Sequence, residues 1–331
     1  MCILISTTEH PDYPFLLLSN RDEYYARPTK GAHFRTLENG TQILAPLDLA
    51  RTEHGTWIGV TTSGKIAVLV NYREEDNTPE LGEISRGILP LDYLSSISSD
   101  EDWYQNLENE LAKKSIRDTK VSLRKIGGFS LLYGKLDINH NTGKINHLNI
   151  LSNRGDRGRV HDSMLAGACP TDEELKSHED VAYQTTFGLS NSLFYKPWQK
   201  VDIGKSRLEE LVSKSIVENY THDELIQHCF DDILSYNTFD AEAADKAQTL
   251  EDKFLELRKS IFIPPLKTGV SKPLKSSFVG SYYGTRTQTV IALHKSGVLH
   301  YYEHDIHDSD ELSKEFKVKK QHFQIPLSVP Q

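Results

Sequence analysis

Apolar residues come in short unbroken runs near the start of the chain and in helical spacing further on. Residues 2–8 (CILISTT) and 14–20 (PFLLLSN) are runs of β-branched or bulky side chains separated by Pro11 and Asp12. They predict two strands joined as a hairpin. A turn centred near residue 11 makes paired positions sum to about 22 and sets Cys2 opposite Asn20. Residues 55–62 (GTWIGVTT) and 65–72 (KIAVLVNY) predict a second hairpin around a two-residue Ser63-Gly64 turn. The run at 66–70 is apolar throughout, as in a strand covered on both faces. From Ser85 the spacing becomes helical. Ser85 is the expected N-cap of a segment carrying Ile88, Leu89, Leu91, Tyr93 and Leu94, with Pro90 in its first turn, and Ser99 the expected cap of 100–113. Strands return at 129–133, at 145–151 and just before Asn191. Helices follow at 205–217 and after His222-Asp223-Glu224, then strands at 278–283, 287–294 and 298–304.

Strands, then helices, then strands, without βαβ alternation, predict an α+β fold rather than a parallel doubly wound sheet. No internal repeat is present, and the polar stretches 152–159 and 265–277 read as surface loops. Residues 1–331 are therefore expected to form a single domain.

Charge narrows the partners. The net charge of −9 supplies no broad basic face, so nucleic acid is not an expected partner. The basic stretch Lys317-Val318-Lys319-Lys320 reads as the solvated end of a helix or strand. Cys2, Cys169 and Cys229 are too far apart in sequence for a disulfide framework or a metal cluster, which suits a reducing compartment. The N-terminus lacks the basic region and long apolar run of a signal peptide, and no run approaches the ~18–20 residues of a membrane span. The expected location is cytoplasmic. None of the 14 histidines falls in a metal-binding spacing.

Cys2 is the first candidate for chemistry. Removal of Met1 exposes a cysteine whose own α-amine, with an ordinary pKa of about 7.7–8.0, can serve as base for its thiol. The alternative is a small hydrophobe that opens a buried strand. The predicted hairpin brings Asn20, Arg21, Asp22 and Glu23 beside Cys2 as the second strand ends. There Arg21 favours the thiolate, and Asp22 can hold the α-amine by a charge-assisted hydrogen bond. A solvated turn is the other reading of these four residues. Asn71, closing 65–72, is either an oxyanion donor or a strand-end turn residue, and Asn191 in GLSNS has the same two readings. Arg286 is either an anion anchor or an internal ion-pair partner. The Cys169-Pro170 dipeptide can present a thiolate to haem iron or be inert.

These motifs resemble the NRDE family, also called the transport and Golgi organisation protein 2 family. The resemblance rests on Met1-Cys2, Asn20-Arg21-Asp22-Glu23 with Arg27-Pro28, Gly55-Thr56-Trp57-Ile58-Gly59, Asn71-Tyr72-Arg73-Glu74 and Ser85-Arg86-Gly87. It continues through Asn153-Arg154, Gly188-Leu189-Ser190-Asn191-Ser192, Pro197-Trp198-Gln199-Lys200-Val201 and Gly284-Thr285-Arg286. It implies an Ntn-hydrolase-like four-layer αββα sandwich of antiparallel sheets, similar to the choloylglycine hydrolases, in which an N-terminal Cys attacks an amide. Carried over, it implies Cys2, Arg21, Asp22, Asn71 and Asn191 as the catalytic set, with Asn20, Glu23, Arg27 and Arg286 toward substrate. Arg21 and Asp22 are adjacent, and adjacent side chains on a strand point to opposite faces, so both reach Cys2 only if the strand has ended by Arg21. Glu23 is available to replace one of the two.

The function implied is binding, with hydrolysis or transfer, of an acyl compound such as an amide or an acyl-CoA thioester. The competing reading is a non-catalytic carrier of lipid or haem using the same pocket. No cofactor is required, haem is a candidate ligand, and association with mitochondria is a further implication.

Overall fold

The computed structural model describes residues 2–74, 84–116, 118–123, 125–154, 164–166, 184–246, 250–268, 280–312 and 317–327. In chain order the strands and helices begin with β1 (Ile3–Thr7), β2 (Phe15–Tyr24), β3 (Thr29–Thr36), β4 (Gln42–Asp48), β5 (Ile58–Thr61) and β6 (Lys65–Asn71). Helices α1 (Ile88–Ser95) and α2 (Asp100–Ala112) lead to the two-residue pair β7 (Ser115–Ile116) and β8 (Thr119–Lys120). Then come β9 (Phe129–Lys135), β10 (Leu148–Ser152), β11 (Met164–Ala166) and β12 (Thr186–Ser190). Helices α3 (Gln199–Glu218) and α4 (His222–His228) run into a π-helical turn, Cys229–Leu234. After α5 (Ala241–Lys246) and α6 (Leu250–Lys259), the chain closes with β13 (Leu266–Lys267), β14 (Tyr282–Leu293), β15 (Val298–Asp305) and β16 (Lys319–Pro326).

The chain divides into two compact units, each assembled from several segments. The first comprises Met1–Arg27, Thr185–Ser190 and Lys196–Gln324, and the second Pro28–Gln184, Asn191–Tyr195 and Ile325–Gln331. The first unit is built on a sheet in the order β12-β1-β2-β14-β15-β16, with β13 also on β14. Ile3, Ile5, Leu16 and Leu18 from its central strands pack with Val201 and Leu208 of α3 and with Phe230 and Ile233 of the π-helical turn. The second unit is built on β11-β10-β9-β6-β5-β4-β3. There Ala67, Leu69 and Leu131 pack with Leu89 and Tyr93 of α1 and with Trp103 and Leu107 of α2. The α+β class with antiparallel sheets is therefore what the chain adopts, each unit pairing one sheet with its own helices.

Close packing of α3 on the first sheet depends on one glycine. A Cβ at Gly204 would lie 2.1 Å from Ile5 Cδ1, so a larger residue there displaces either the Ile5 side chain or the helix. The buried positions Lys200, Gly204, Leu208, Leu211, Val212 and Ser215 recur at helical spacing and form the stripe that α3 buries. Asn219 ends α3 in the left-handed conformation (φ 53°), and Thr221 and Glu224 form a capping box at the start of α4.

Several elements differ from the sequence-based expectation. The first hairpin pairs Ile3 with Asn20, so partners sum to 23, and Cys2 lies one residue ahead of β1 rather than opposite Asn20. The second hairpin turns through three residues, with Gly64 left-handed (φ 94°), instead of two. Ser99 caps α2 as expected, accepting from Asp102 N at 3.1 Å, but α1 begins at Ile88 with Gly87 as its N-cap. The α3 helix starts six residues before the expected position, at Gln199, because Gln199 and Lys200 disguise its first turn as polar loop. The expected strands at 278–283 and 287–294 meet in one strand, β14, carrying a β-bulge between Thr285 and Thr287, with residues 278–279 outside the described residues. Strands β3 and β4, with mixed polar and apolar positions, escaped the pattern altogether.

Candidate functional site

The first unit gathers most of the candidate residues at the end of the β1–β2 hairpin. The main difference from expectation is that β2 does not stop before the polar quartet: it runs through Asn20, Arg21, Asp22 and Glu23 to Tyr24, paired with β14 along its whole length. Alternation then sends Asn20 and Asp22 to the face carrying α3 and the π-helical turn, and Arg21 and Glu23 to the opposite one. The requirement that the strand end by Arg21 is not met, so these adjacent residues act from opposite sides. A charged strand end is normally solvated. Here Asn20 is 0% exposed, Arg21 7% and Asp22 4%, so each must find partners within the protein.

Asn20 donates its side-chain amide to Leu234 O at 2.8 Å and Ile261 O at 3.0 Å, tying β2 to the end of the π-helical turn and to the chain leading into β13. Asp22 accepts from Thr285 Oγ1 at 2.7 Å on β14. Its other carboxylate oxygen lies 3.7 Å from Nζ of Lys200, and both side chains are completely buried. Lys200 reaches this position because α3 begins early enough to place it on the buried stripe, one turn before Gly204. Burial pushes the Lys200 ammonium down, whereas Asp22 and Cys2 raise it. Cys2 is partly exposed, and its Sγ approaches the main-chain oxygen of Asp22 at 3.8 Å. The thiol, a buried carboxylate and a buried ammonium thus share one corner of the unit.

Across the sheet, charged side chains form a chain. Arg21 Nη2 contacts Glu23 Oε2 at 3.4 Å, and Arg27 Nε contacts the same oxygen at 3.6 Å. Arg286 is the extra residue of the β14 bulge, a device that turns a side chain out of its regular alternation. It is 3% exposed and donates to main-chain oxygens: Nε to His307 at 3.0 Å, and Nη1 to Arg27 and to Tyr24. Burial, and then the charge of Arg21, push its guanidinium down to about 10, which leaves it cationic at neutral pH.

Asn71 and Asn191 belong to the second unit, where they meet each other. Asn191 Nδ2 donates to Asn71 O at 2.6 Å, and Arg73 N donates to Asn191 O at 2.9 Å. Asn71 closes β6 as expected. Arg154, in the motif Asn153-Arg154, pairs with Glu74 at 2.7 Å. Asn153 accepts from Phe129 N and donates to the carbonyls of Leu123 and Ile126, closing the loop ahead of β9. Cys169, the candidate haem ligand, and Met1 lie outside the described residues. Among the described residues no group of three or more His, Cys, Asp and Glu side chains could hold a metal ion, and no helix is long and apolar enough to cross a membrane.

Sequence reasoning missed Lys200 and Thr285, the two partners of Asp22. For Lys200 the signal was available: extended back from Gly204, the apolar stripe of α3 lands on it. Thr285 was hidden, because the bulge after it breaks the alternation that would have paired β14 with β2.

Comparison with known proteins finds chains of similar sequence over nearly the full length. An uncharacterized protein of Saccharomyces cerevisiae is 31% identical over 330 residues, 96% of each chain. The Transport and Golgi organization protein 2 homolog of Homo sapiens is 29% identical over 301 residues, covering 90% of this chain and 88% of that one. Among solved structures, a conjugated bile acid hydrolase from Clostridium perfringens aligns with a TM-score of 0.38 and 13% identity over 100% of this chain and 99% of its own. The family described as Transport and Golgi organisation 2 matches residues 1–308, and the chain belongs to that family.

Proposed function

We propose that the chain binds an acyl compound, an amide or an acyl-CoA-like thioester, beside Cys2 and transfers its acyl group to the Cys2 thiol. The observation that supports this is a partly exposed thiol 3.8 Å from the main-chain oxygen of Asp22, a residue whose carboxylate meets Thr285 and Lys200. Cys229, by contrast, is fully buried among apolar side chains, and burial pushes its thiol well up.

In the proposed reaction Met1 has been removed, and the free α-amine of Cys2 takes the thiol proton. The sulfur attacks the acyl carbonyl, a C–S bond forms, and the C–N or C–S bond to the leaving group breaks. The amine returns its proton to the departing amine or thiolate. Water then cleaves the acyl-enzyme, releasing the acid and restoring the thiol. Arg27 is the proposed contact to an acidic part of the substrate.

Incubation with a long-chain acyl-CoA tests the reading. Release of free CoA by the wild-type protein, and none by Cys2→Ala, is the expected result. Saturable binding without CoA release, unchanged in Cys2→Ala, overturns it in favour of a lipid or haem carrier.

A further inference from the structure

The sheet of the first unit carries a cluster of rings in which two histidines meet nitrogen to nitrogen. His300 lies on β15 and His322 on β16, the neighbouring strand at the edge of the sheet. His300 Nδ1 and His322 Nε2 are 3.1 Å apart, with His300 half-buried and His322 exposed. The two are 22 residues apart in the chain, so no sequence spacing announces them; the pairing of the strands brings them together. The rings are also held in place. His322 stacks on Tyr302 with centroids 4.0 Å apart and planes 5° from parallel, and the His222 ring lies 4.3 Å from that of His300. His222 is itself fixed through both nitrogens, to the hydroxyls of Tyr13 and Tyr302 at 2.7 Å each. This outer layer restrains the directions in which the two facing nitrogens point.

We propose that His300 and His322 chelate a borderline divalent cation such as Zn2+ and so clip β16 to β15. The separation is that of two ligands on one metal. With metal–nitrogen bonds of about 2.0–2.1 Å, angles between about 90° and 109° put the nitrogens about 2.9–3.4 Å apart. The donors select the cation, since imidazole suits zinc, nickel and copper, whereas magnesium and calcium take oxygen ligands. Without metal, one imidazole donates its N–H to the other. On binding, that proton shifts to the other nitrogen of its own ring, and both facing nitrogens become ligands with no net loss of protons. Water completes the coordination, since the pair falls short of the three or four protein ligands of a catalytic or structural zinc site. The inference owes nothing to the chemistry proposed at Cys2.

The test is a calorimetric titration of ZnCl2 into the full chain, first freed of metal with a chelator. Diethyl pyrocarbonate labelling, read by peptide mass spectrometry, locates the ion among the histidines. One saturable binding event is expected, insensitive to excess Mg2+, with His300 and His322 protected together. His322→Gln, a change at an exposed position, is expected to weaken that event by about tenfold or more, and His300→Gln/His322→Gln to abolish it. Zinc should also raise the urea midpoint of the wild type and leave that of His322→Gln where it was.

Zinc titrations that coincide in wild type and His322→Gln, or zinc binding that leaves both histidines open to the reagent, put the metal elsewhere and overturn the inference. Equal shifts of the urea midpoint in the two proteins do the same. Absence of saturable zinc binding overturns it as well, and reduces the contact to an N–H···N hydrogen bond. Should the double variant fail to fold, His322→Gln decides alone.

Discussion

Replacing Lys200 by Met, which nearly preserves volume, removes one half of a fully buried ion pair. At 3.7 Å and an effective dielectric of about 20, the attraction between Lys200 and Asp22 is about 4–5 kcal/mol. The desolvation of the two ions is of similar size, so the pair as a whole adds little to stability. Its halves are a different matter. Lys200→Met leaves the Asp22 carboxylate buried with the Thr285 hydroxyl still bonded to it and the ammonium gone. The expected loss is about 3–5 kcal/mol. Asp22→Leu should cost a similar amount, because it strands an ammonium. The double variant Lys200→Met/Asp22→Leu should return to within about 1–2 kcal/mol of wild type, giving a coupling energy of about 4–9 kcal/mol. Urea titrations followed by far-UV circular dichroism and by intrinsic fluorescence measure all four proteins. Additive single effects, with a coupling below about 1 kcal/mol, would refute the claim that these residues meet as ions in the interior.

Other consequences can be checked separately. Arg286→Met strips donors from the partly buried carbonyls of Tyr24, Arg27 and His307 and should destabilise by about 2–4 kcal/mol in urea, with Arg286→Lys recovering only part of it. Asn153→Ala leaves the Phe129 amide unsatisfied in the second unit and should cost about 1–3 kcal/mol by the same titration. Gly204→Val drives two extra methyl groups toward Ile5 and should cost about 1–3 kcal/mol or more, seen as a lowered urea midpoint. Burial holds His300 and His304 down at about 4, below the usual histidine value of about 6.5. Their unfolded forms take up protons first, so the stability they contribute is complete above pH 6.5 and is lost as the pH falls toward 4. Urea midpoints measured across that window should fall with pH, and less steeply in His304→Phe, whose ring can keep the stacking on Phe230 at 3.7 Å.

What the sequence revealed and what it hid have physical reasons. The β1–β2 hairpin was legible because both strands are continuous apolar runs, and continuous burial leaves few other structures to choose from. Its register was not, since the connection from Thr8 to Pro14 has no tight-turn signature and a shift of one residue is invisible to the pattern. That shift moved Cys2 off Asn20, and the continuation of β2 through the quartet split Arg21 from Asp22. The polar quartet read as lying past the end of the strand because its partners, Thr285 and Lys200 among them, lie far along the chain, and local composition cannot announce a buried charge that is satisfied from a distance. Ser99 and the strand end at Asn71 were legible because each is specified by its own neighbours.

The central claim is that Cys2 is an acyl-accepting nucleophile. Intact-mass and peptide analysis of the protein after brief exposure to a long-chain acyl-CoA, with and without neutral hydroxylamine, tests it most directly. The prediction is a chain lacking Met1 that gains the acyl mass on its Cys2 peptide and loses it again in hydroxylamine, as a thioester does. A chain that keeps Met1, or that carries no acyl group on Cys2 at any time point, would contradict it.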